Sequence, residues 1–234
     1  MRLGQAWQAR KRRLKGAVAE SILSFLSYFW VIRGQVAELT LQHTLLSLAG
    51  VLAGTLTAVP LGIFISRRPK IGSYVIDIAG MLYTIPSLAI LGFLLPFLGL
   101  GWLPTIVALT IYSWLPVLRN TCAGLLGVDP AAKEAALGMG ATSSQLLFRV
   151  ELPMAFPIIM AGIRTVAVLT VGITTMGALV AAGGLGNLIF TGISMMDNRM
   201  ILAGTIPVSL LAVLLDKLLG ILEHKASLKM GVRG

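Results

Sequence analysis

The chain has 234 residues, 56% of them hydrophobic before its 26 glycines are counted, and 12% charged, about half the roughly 25% usual in soluble domains. With 19 Lys and Arg against 9 Asp and Glu the formal charge is +10, yet the charges stand at the ends of apolar runs. That placement points to a helical membrane protein and excludes nucleic-acid binding, a secreted disulfide scaffold and a disordered tail. The one cysteine, Cys122, cannot form an internal disulfide.

Arg10, Lys11, Arg12, Arg13 and Lys15 precede an apolar stretch over 17–32. No small-x-small cleavage site follows it, so it reads as a retained first transmembrane helix that starts near Leu14, an interfacial helix being the alternative. Residues 39–66 carry no charge and stop at Arg67-Arg68-Pro69-Lys70, which gives a second crossing with a basic end. The uncharged run over 78–118 is about twice one crossing and is interrupted by Gly99-Leu100-Gly101-Trp102-Leu103-Pro104, so it predicts a hairpin of two helices. Leu152 begins another crossing that passes Arg164, continues toward Val180 and stops at Gly183-Gly184-Leu185-Gly186. Met200 to Leu215 supplies the last, running on toward Leu222.

Lys and Arg mark the cytoplasmic side of a membrane protein. With the amino terminus inside, the inner segments hold the amino-terminal cluster, then Arg67, Arg68 and Lys70, then Arg119, Lys133 and Arg149, then Lys217, Lys225, Lys229 and Arg233. Only Arg33 and Arg199 fall outside, which predicts six crossings with both termini in the cytoplasm.

The longest inner connection carries local structure signals. Asp129-Pro130 is an N-cap with proline at the first helical position, and Ala131 to Leu137 has high helix propensity. Gly138 and Gly140 then stop that helix, and Thr142-Ser143-Ser144-Gln145 fits a capping box that opens a second helix through Leu146 to Val150. Leu137, Met139, Leu146, Leu147 and Phe148 are more apolar than a solvated connection requires, so they cover either a partner protein or the chain's own helices.

Glu134-Ala135-Ala136, three residues, Gly140, nine residues, then Val150-Glu151-Leu152-Pro153 resembles the EAA loop of permease subunits of bacterial ABC importers, with Val150 in place of the usual Ile. Thr84-Ile85-Pro86-Ser87, Leu115-Pro116-Val117-Leu118-Arg119-Asn120-Thr121, the Gly183 to Gly186 turn and Ile201 to Pro207 are similar to the osmoprotectant branch, which imports glycine betaine, choline, carnitine or proline betaine.

The resemblance implies an all-α integral membrane protein with a five-helix permease core (MetI-like) over 39–225. An extra amino-terminal transmembrane helix lies within 1–38, the coupling loop at about 129–153, and a basic tail over 226–234. It implies two ABC ATPase subunits, a second permease subunit (the same chain or a paralogue), a periplasmic or lipid-anchored substrate-binding protein, and residence in the bacterial inner membrane. ATP and Mg would belong to the ATPase, since the chain has no phosphate-loop motif and no catalytic residues of its own. Nor does it carry a fused substrate-binding domain. Coupling to the ATPase falls to Glu134, Ala135, Ala136, Gly140, Val150, Leu152 and Pro153. A methionine or other amino-acid importer is the alternative within the class. An ion-coupled secondary transporter would need more intramembrane acids.

Substrate-path candidates come from proline-interrupted helices, at Pro60, Pro86, Pro96 and Pro116, and from aromatic residues able to hold a quaternary ammonium by cation–π attraction, Tyr83, Tyr112 and Trp114 foremost. Phe93 and Phe97 are weighed with them, while Trp30 and Trp102 fit an interfacial belt. Gly50 and Gly54 have the spacing of a close helix contact. Arg164 predicts an ion pair or snorkelling, with Asp77 as a candidate partner. His43 and His224 stand too far apart for a metal site, and Cys122 reads as a small packed residue.

Overall fold

The computed structural model describes residues 2–229, with side chains from 20 to 228, and every regular element among them is helical. The basic side chains before residue 20, and the tail beyond 229, lie outside the described residues. Helix α1 runs from Arg2 to Ser66 without a break. Two crossings with an outer turn near 33–38 were expected, and the turn is absent. Arg33-Gly34-Gln35-Val36-Ala37-Glu38 contains one glycine and no proline, so nothing stops the helix, and the Arg33 guanidinium instead donates to the Trp30 carbonyl at 2.7 Å. The six-crossing count loses its first hairpin.

Arg68 precedes Pro69, leaves the helical region (φ −137°, ψ 75°) and opens α2 (Pro69–Thr84). Ile85, extended for the same reason before Pro86, ends α2, and α3 (Ser87–Leu98) leaves at 96°. The first leg of the expected hairpin is therefore two helices. Gly99 and Gly101, both at positive φ, turn the chain into α4 (Trp102–Leu126). The loop helix α5 (Pro130–Gly138) and the short α6 (Ser143–Leu146) follow. A π turn over Leu147–Glu151 then leads into α7 (Leu152–Thr174), which tightens into a 3-10 segment over Thr175–Val180. A short helix α8 (Gly186–Met195), absent from the sequence reading, precedes α9 (Asn198–Lys229). Between them Asp197 accepts from the Arg199 backbone at 2.9 Å and from its guanidinium at 3.0 Å, which holds the Asp197 carboxyl below the usual carboxylate range.

Among the described residues, three helical stretches are long and apolar enough to cross a membrane, 20–66, 143–180 and 198–228; the bent α2/α3 pair makes a fourth if it counts as one span. Helix α4 has 25 residues, or about 37 Å at 1.5 Å per residue. It is less apolar because Thr105, Ser113 and Thr121 are buried against protein rather than lipid. It lies between α1 and α7. A Cβ on Gly50 would lie 2.5 Å from Leu109 Cβ, on Gly54 2.2 Å from Ser113 Cβ, and on Gly62 2.7 Å from Thr121 Cβ. With fully buried Ala58, these glycines form a stripe of small residues every four positions that lets α1 and α4 meet backbone to backbone.

Candidate functional site

The loop begins as its local sequence dictates. Asp129 Oδ1 accepts from Ala131 N at 2.9 Å and caps α5. Glu134 and Ala135 face outward while Ala136 is buried. Gly138 stays inside the helix, so the reversal falls on Gly140 alone, at φ +83°. Ala141 N there donates to Ala136 O at 3.0 Å, closing the helix end. Thr142 and Gln145 form the reciprocal capping box, at 3.3 and 2.8 Å. The second loop helix is not separate, because α6 and the π turn run directly into α7. Pro153 has no N–H to give the carbonyl one turn back, and the wider π turn absorbs that loss at the entry to α7.

Glu151, inside the motif but without an assigned role, ties the loop down. Its carboxylate lies 2.8 Å from Arg67 at the end of α1 and 3.5 Å from Lys133 on α5, and Lys133 Nζ also donates to Leu125 O at 3.1 Å. Leu147 packs inward with Leu125 and Val128. Leu137, Met139 and Phe148 remain exposed, Met139 at 84%. The apolar excess therefore divides: part covers the chain's own helices and part faces solvent. A groove of about 420 Å³ beside it is lined by Ala136, Met139, Gly140, Gln145, Arg149 and Val150.

Of the proline candidates, only Pro86 breaks a helix; Pro60, Pro96 and Pro116 lie within α1, α3 and α4. At the Pro86 break the Ala89 and Ile90 amides both turn to the Pro86 carbonyl, so the Ile85 carbonyl has no amide, and the Tyr112 hydroxyl donates to it. Tyr112 also meets Tyr83 edge-on with ring centroids 5.8 Å apart. Tyr83, Pro86 and Tyr112 thus gather at one place, against Ile173, Met176 and Val180. Trp114 does not join them, and its Nε1 donates to Thr57 Oγ1 at 3.0 Å. Phe93 and Phe97 are exposed on α3.

Arg164 is ion-paired, but not with Asp77, which is exposed on α2. Its guanidinium meets Asp216 at 2.9 Å and Glu223 at 3.0 Å, both on α9. Gly220 lies against the same guanidinium, so α9 passes close over it. No group of three metal-ligating side chains occurs among the described residues. His43, set aside in the sequence, is fully buried and hydrogen-bonded to the Val171 carbonyl at 2.9 Å.

Residues 50–228 match the family model described as binding-protein-dependent transport system inner membrane component. The chain is 46% identical over 190 residues to the carnitine transport permease protein OpuCB of Listeria monocytogenes, covering 81% of this chain and 87% of that protein. It is 42% identical over 192 residues to the choline transport system permease protein OpuBB of Bacillus subtilis, covering 82% and 88%. With the osmoprotectant import permease protein OsmW of Salmonella typhimurium it shares 42% over 191 residues, covering 80% and 89%. Among solved structures, the inward-facing MetNI methionine ABC transporter superposes with a TM-score of 0.71 at 23% identity, covering 79% of this chain and 93% of that one. At that identity the likeness is one of fold.

Proposed function

Because the chain belongs to the binding-protein-dependent inner-membrane permeases of ABC importers, a multi-pass family whose ATPase is a separate subunit, we propose that its cargo is a quaternary-ammonium osmoprotectant. The observation that carries this reading is the identity above 40%, over four fifths of the chain, to permeases named for carnitine, choline and osmoprotectants. The methionine transporter resembles the chain in fold at 23% identity.

Two copies, or this chain and a paralogue, would form the path above two ATPase subunits that hold ATP and Mg. A periplasmic or lipid-anchored binding protein would deliver the solute. The EAA loop is the coupling element. Exposed Glu134 and Ala135, with Leu137, Met139 and Phe148, present the docking surface, and buried Ala136 seats α5 on the protein. Gly140 makes the reversal, and Val150, Leu152 and Pro153 carry motion into α7 without a flexible joint. Closure of the ATPases then biases the helices between inward- and outward-facing arrangements, as linkage requires. The inner face is the one that gathers Arg67, Lys133 and Glu151; α9 runs antiparallel to α7, with Glu223 beside Arg164 and Leu211 beside Val171, so its carboxy-terminal end points toward the same face.

The Tyr83–Tyr112 pair at the Pro86 break is the best-supported part of the path. Aromatic faces attract a quaternary ammonium without hydrogen bonds. A weak, reversible hold is what transport needs. Trp114, bonded to Thr57, serves packing between α1 and α4 instead.

Purification of the tagged chain from its native membrane tests the partner reading. An ATPase subunit should co-purify in about one-to-one amount and be lost when Gly140 is changed to a bulky basic residue. Uptake of labelled carnitine, choline and glycine betaine, each competed with methionine, tests the cargo. Methionine as the better competitor would overturn the osmoprotectant reading.

A further inference from the structure

Helix α7 ends at Thr174, and the first carbonyl to lose its α-helical hydrogen bond there is that of Val171. The Thr175 amide turns to Gly172 O, as a 3-10 turn demands, so the Val171 carbonyl loses the partner an α-helix would have given it. A carbonyl within a membrane bundle needs a donor. His43 on α1 supplies it, through Nε2 at 2.9 Å.

A carbonyl only accepts, which puts the imidazole proton on Nε2 and leaves Nδ1 of the neutral ring as a lone-pair acceptor. His43 is fully buried, and Nδ1 has no hydrogen-bond partner. An unsatisfied buried acceptor is costly, and here a donor stands nearby. A Cβ on Gly184 would lie 3.1 Å from Nδ1, so the backbone of Gly184 passes close to the ring. The Gly184 amide donates to Oε1 of Gln42, the neighbour of His43, at 3.2 Å. Gly183 and Gly184 both have positive φ, the conformational freedom a moving turn would use.

Gln42, His43 and Ser47 thus grip both ends of the segment 171–184. Ser47 Oγ lies 3.0 Å from Thr174 Oγ1. Elsewhere on the segment, Val180 O accepts from Gly101 N at 2.7 Å, and Val180 and Met176 pack in the cluster that holds Tyr112 and Tyr83. Movement of this segment would move one wall of the aromatic site.

We propose that His43 is a positioning residue for translocation: its Nε2–H holds the α-to-3-10 junction of α7, and its free Nδ1 is the second seat of a latch in which the Gly184 amide passes from Gln42 Oε1 to His43 Nδ1. The proposal rests on the reading that Tyr83 and Tyr112 line the path. One position is the arrangement seen here; the other belongs to the opposite-facing state of the transport cycle. The Gly184 amide keeps one acceptor in either position, so the two arrangements are close in free energy and a small bias moves the balance between them.

The test uses the complex with its ATPase, reconstituted in nanodiscs, in two states: nucleotide-free and trapped with ATP and vanadate. Amide exchange is followed in peptides covering 171–187. His43→Gln keeps an N–H at the distance of Nε2 and removes the ring acceptor; His43→Leu removes both. In the wild type the Gly184 amide should stay protected in both states, through different acceptors, while other amides of 171–187 change their exchange with nucleotide as the segment moves. In His43→Gln it should lose protection in one state only, with roughly tenfold slower uptake and ATP hydrolysis retained. His43→Leu should give less assembled complex.

A His43→Gln variant with wild-type protection in both states and wild-type uptake overturns the latch. A wild type showing no nucleotide-dependent exchange anywhere in 171–187 overturns it too, since the segment then does not move. Failure of the cargo reading appears separately, as a wild-type complex whose exchange responds to nucleotide but which takes up no quaternary ammonium.

Discussion

The hydroxyl of Tyr112 on α4 donates to the carbonyl of Ile85, the residue at which α2 breaks before Pro86. His43 on α1 does the same for Val171, where α7 tightens. Each released carbonyl is met by a side chain from another helix, so the breaks are stabilised by tertiary contacts and not by lipid or chance flexibility. The first break holds the aromatic pair, and the 3-10 segment that follows the second packs against that pair through Met176 and Val180. A translocation path needs irregular backbone at membrane depth, and here that backbone is covered by protein.

Removing the Tyr112 hydroxyl therefore separates stability from recognition. Tyr112→Phe keeps the ring against Tyr83 but leaves the Ile85 carbonyl without its donor, at a cost of about 1–3 kcal/mol. The purified complex should melt at a lower temperature, and the affinity of the remaining folded protein for quaternary ammonium should hardly change. Tyr83→Leu should do the reverse: unchanged melting, with uptake at low substrate reduced about threefold, the weak cation–π contribution expected at a partly exposed site. Loss of uptake without loss of stability in Tyr112→Phe would refute the capping role.

Gly140 offers a cleaner test, because a Cβ there meets nothing within 4 Å while φ is +83°. Space is not the constraint; backbone conformation is. Gly140→Asn should keep most substrate-stimulated ATP hydrolysis, since Asn tolerates the left-handed region, whereas Gly140→Val should abolish it. Gly138, in ordinary helical conformation with open space around it, should accept alanine at no cost. Equal damage from Asn and Val would mean that the position acts by contact with a partner and not by turning the chain.

The loop was legible because its signals are local: Asp129, Gly140 and the Thr142–Gln145 box each act within a few residues. The breaks were not. Four prolines look alike in the sequence, but only Pro86 ends a helix, and Tyr112, 27 positions from Ile85, supplies the missing donor there. The continuity of α1 escaped a charge count, because counting assigns sides and does not detect whether a turn exists between them. Arg164 was recognisable as a charge that must pair or snorkel, yet its partners lie 52 and 59 residues away on α9, beyond any local pattern.

Those partners are unequal. Asp216 and Arg164 are 41% and 33% exposed at the side chain, so solvent screens their pairing; Glu223, at 21%, is better covered. Asp216→Asn should cost about 0.5 kcal/mol, within the range for exposed pairs. Arg164→Gln removes the one cation that the two carboxylates share and should cost more, about 1–2 kcal/mol, because the better-covered Glu223 is left without it. Adding Glu223→Gln to Arg164→Gln should restore part of the loss, because it removes a carboxylate left uncompensated. Thermal melts of these three variants and of Glu223→Gln alone, in one detergent, would decide it, and additive losses in the double variant would refute the shared-pair account.

Glu151 joins three elements at the inner face: the end of α1 through Arg67, α5 through Lys133, and the entry to α7 through its own position. Its carboxylate is only 12% exposed, while Arg67 is 47% exposed, so the pair contributes more to geometry than to stability. Glu151→Gln should leave insertion and ATPase binding intact, and shift melting by no more than roughly 1 kcal/mol. Coupling is another matter. With α5 no longer tied to α1, movement of the docked loop need not reach the membrane helices, so basal ATP hydrolysis should persist while stimulation by loaded binding protein falls several-fold. Lys133→Gln should show a weaker form of the same defect, because Arg67 still holds Glu151. A Glu151→Gln complex with full stimulation would mean that the continuous α6–π–α7 run transmits the motion alone.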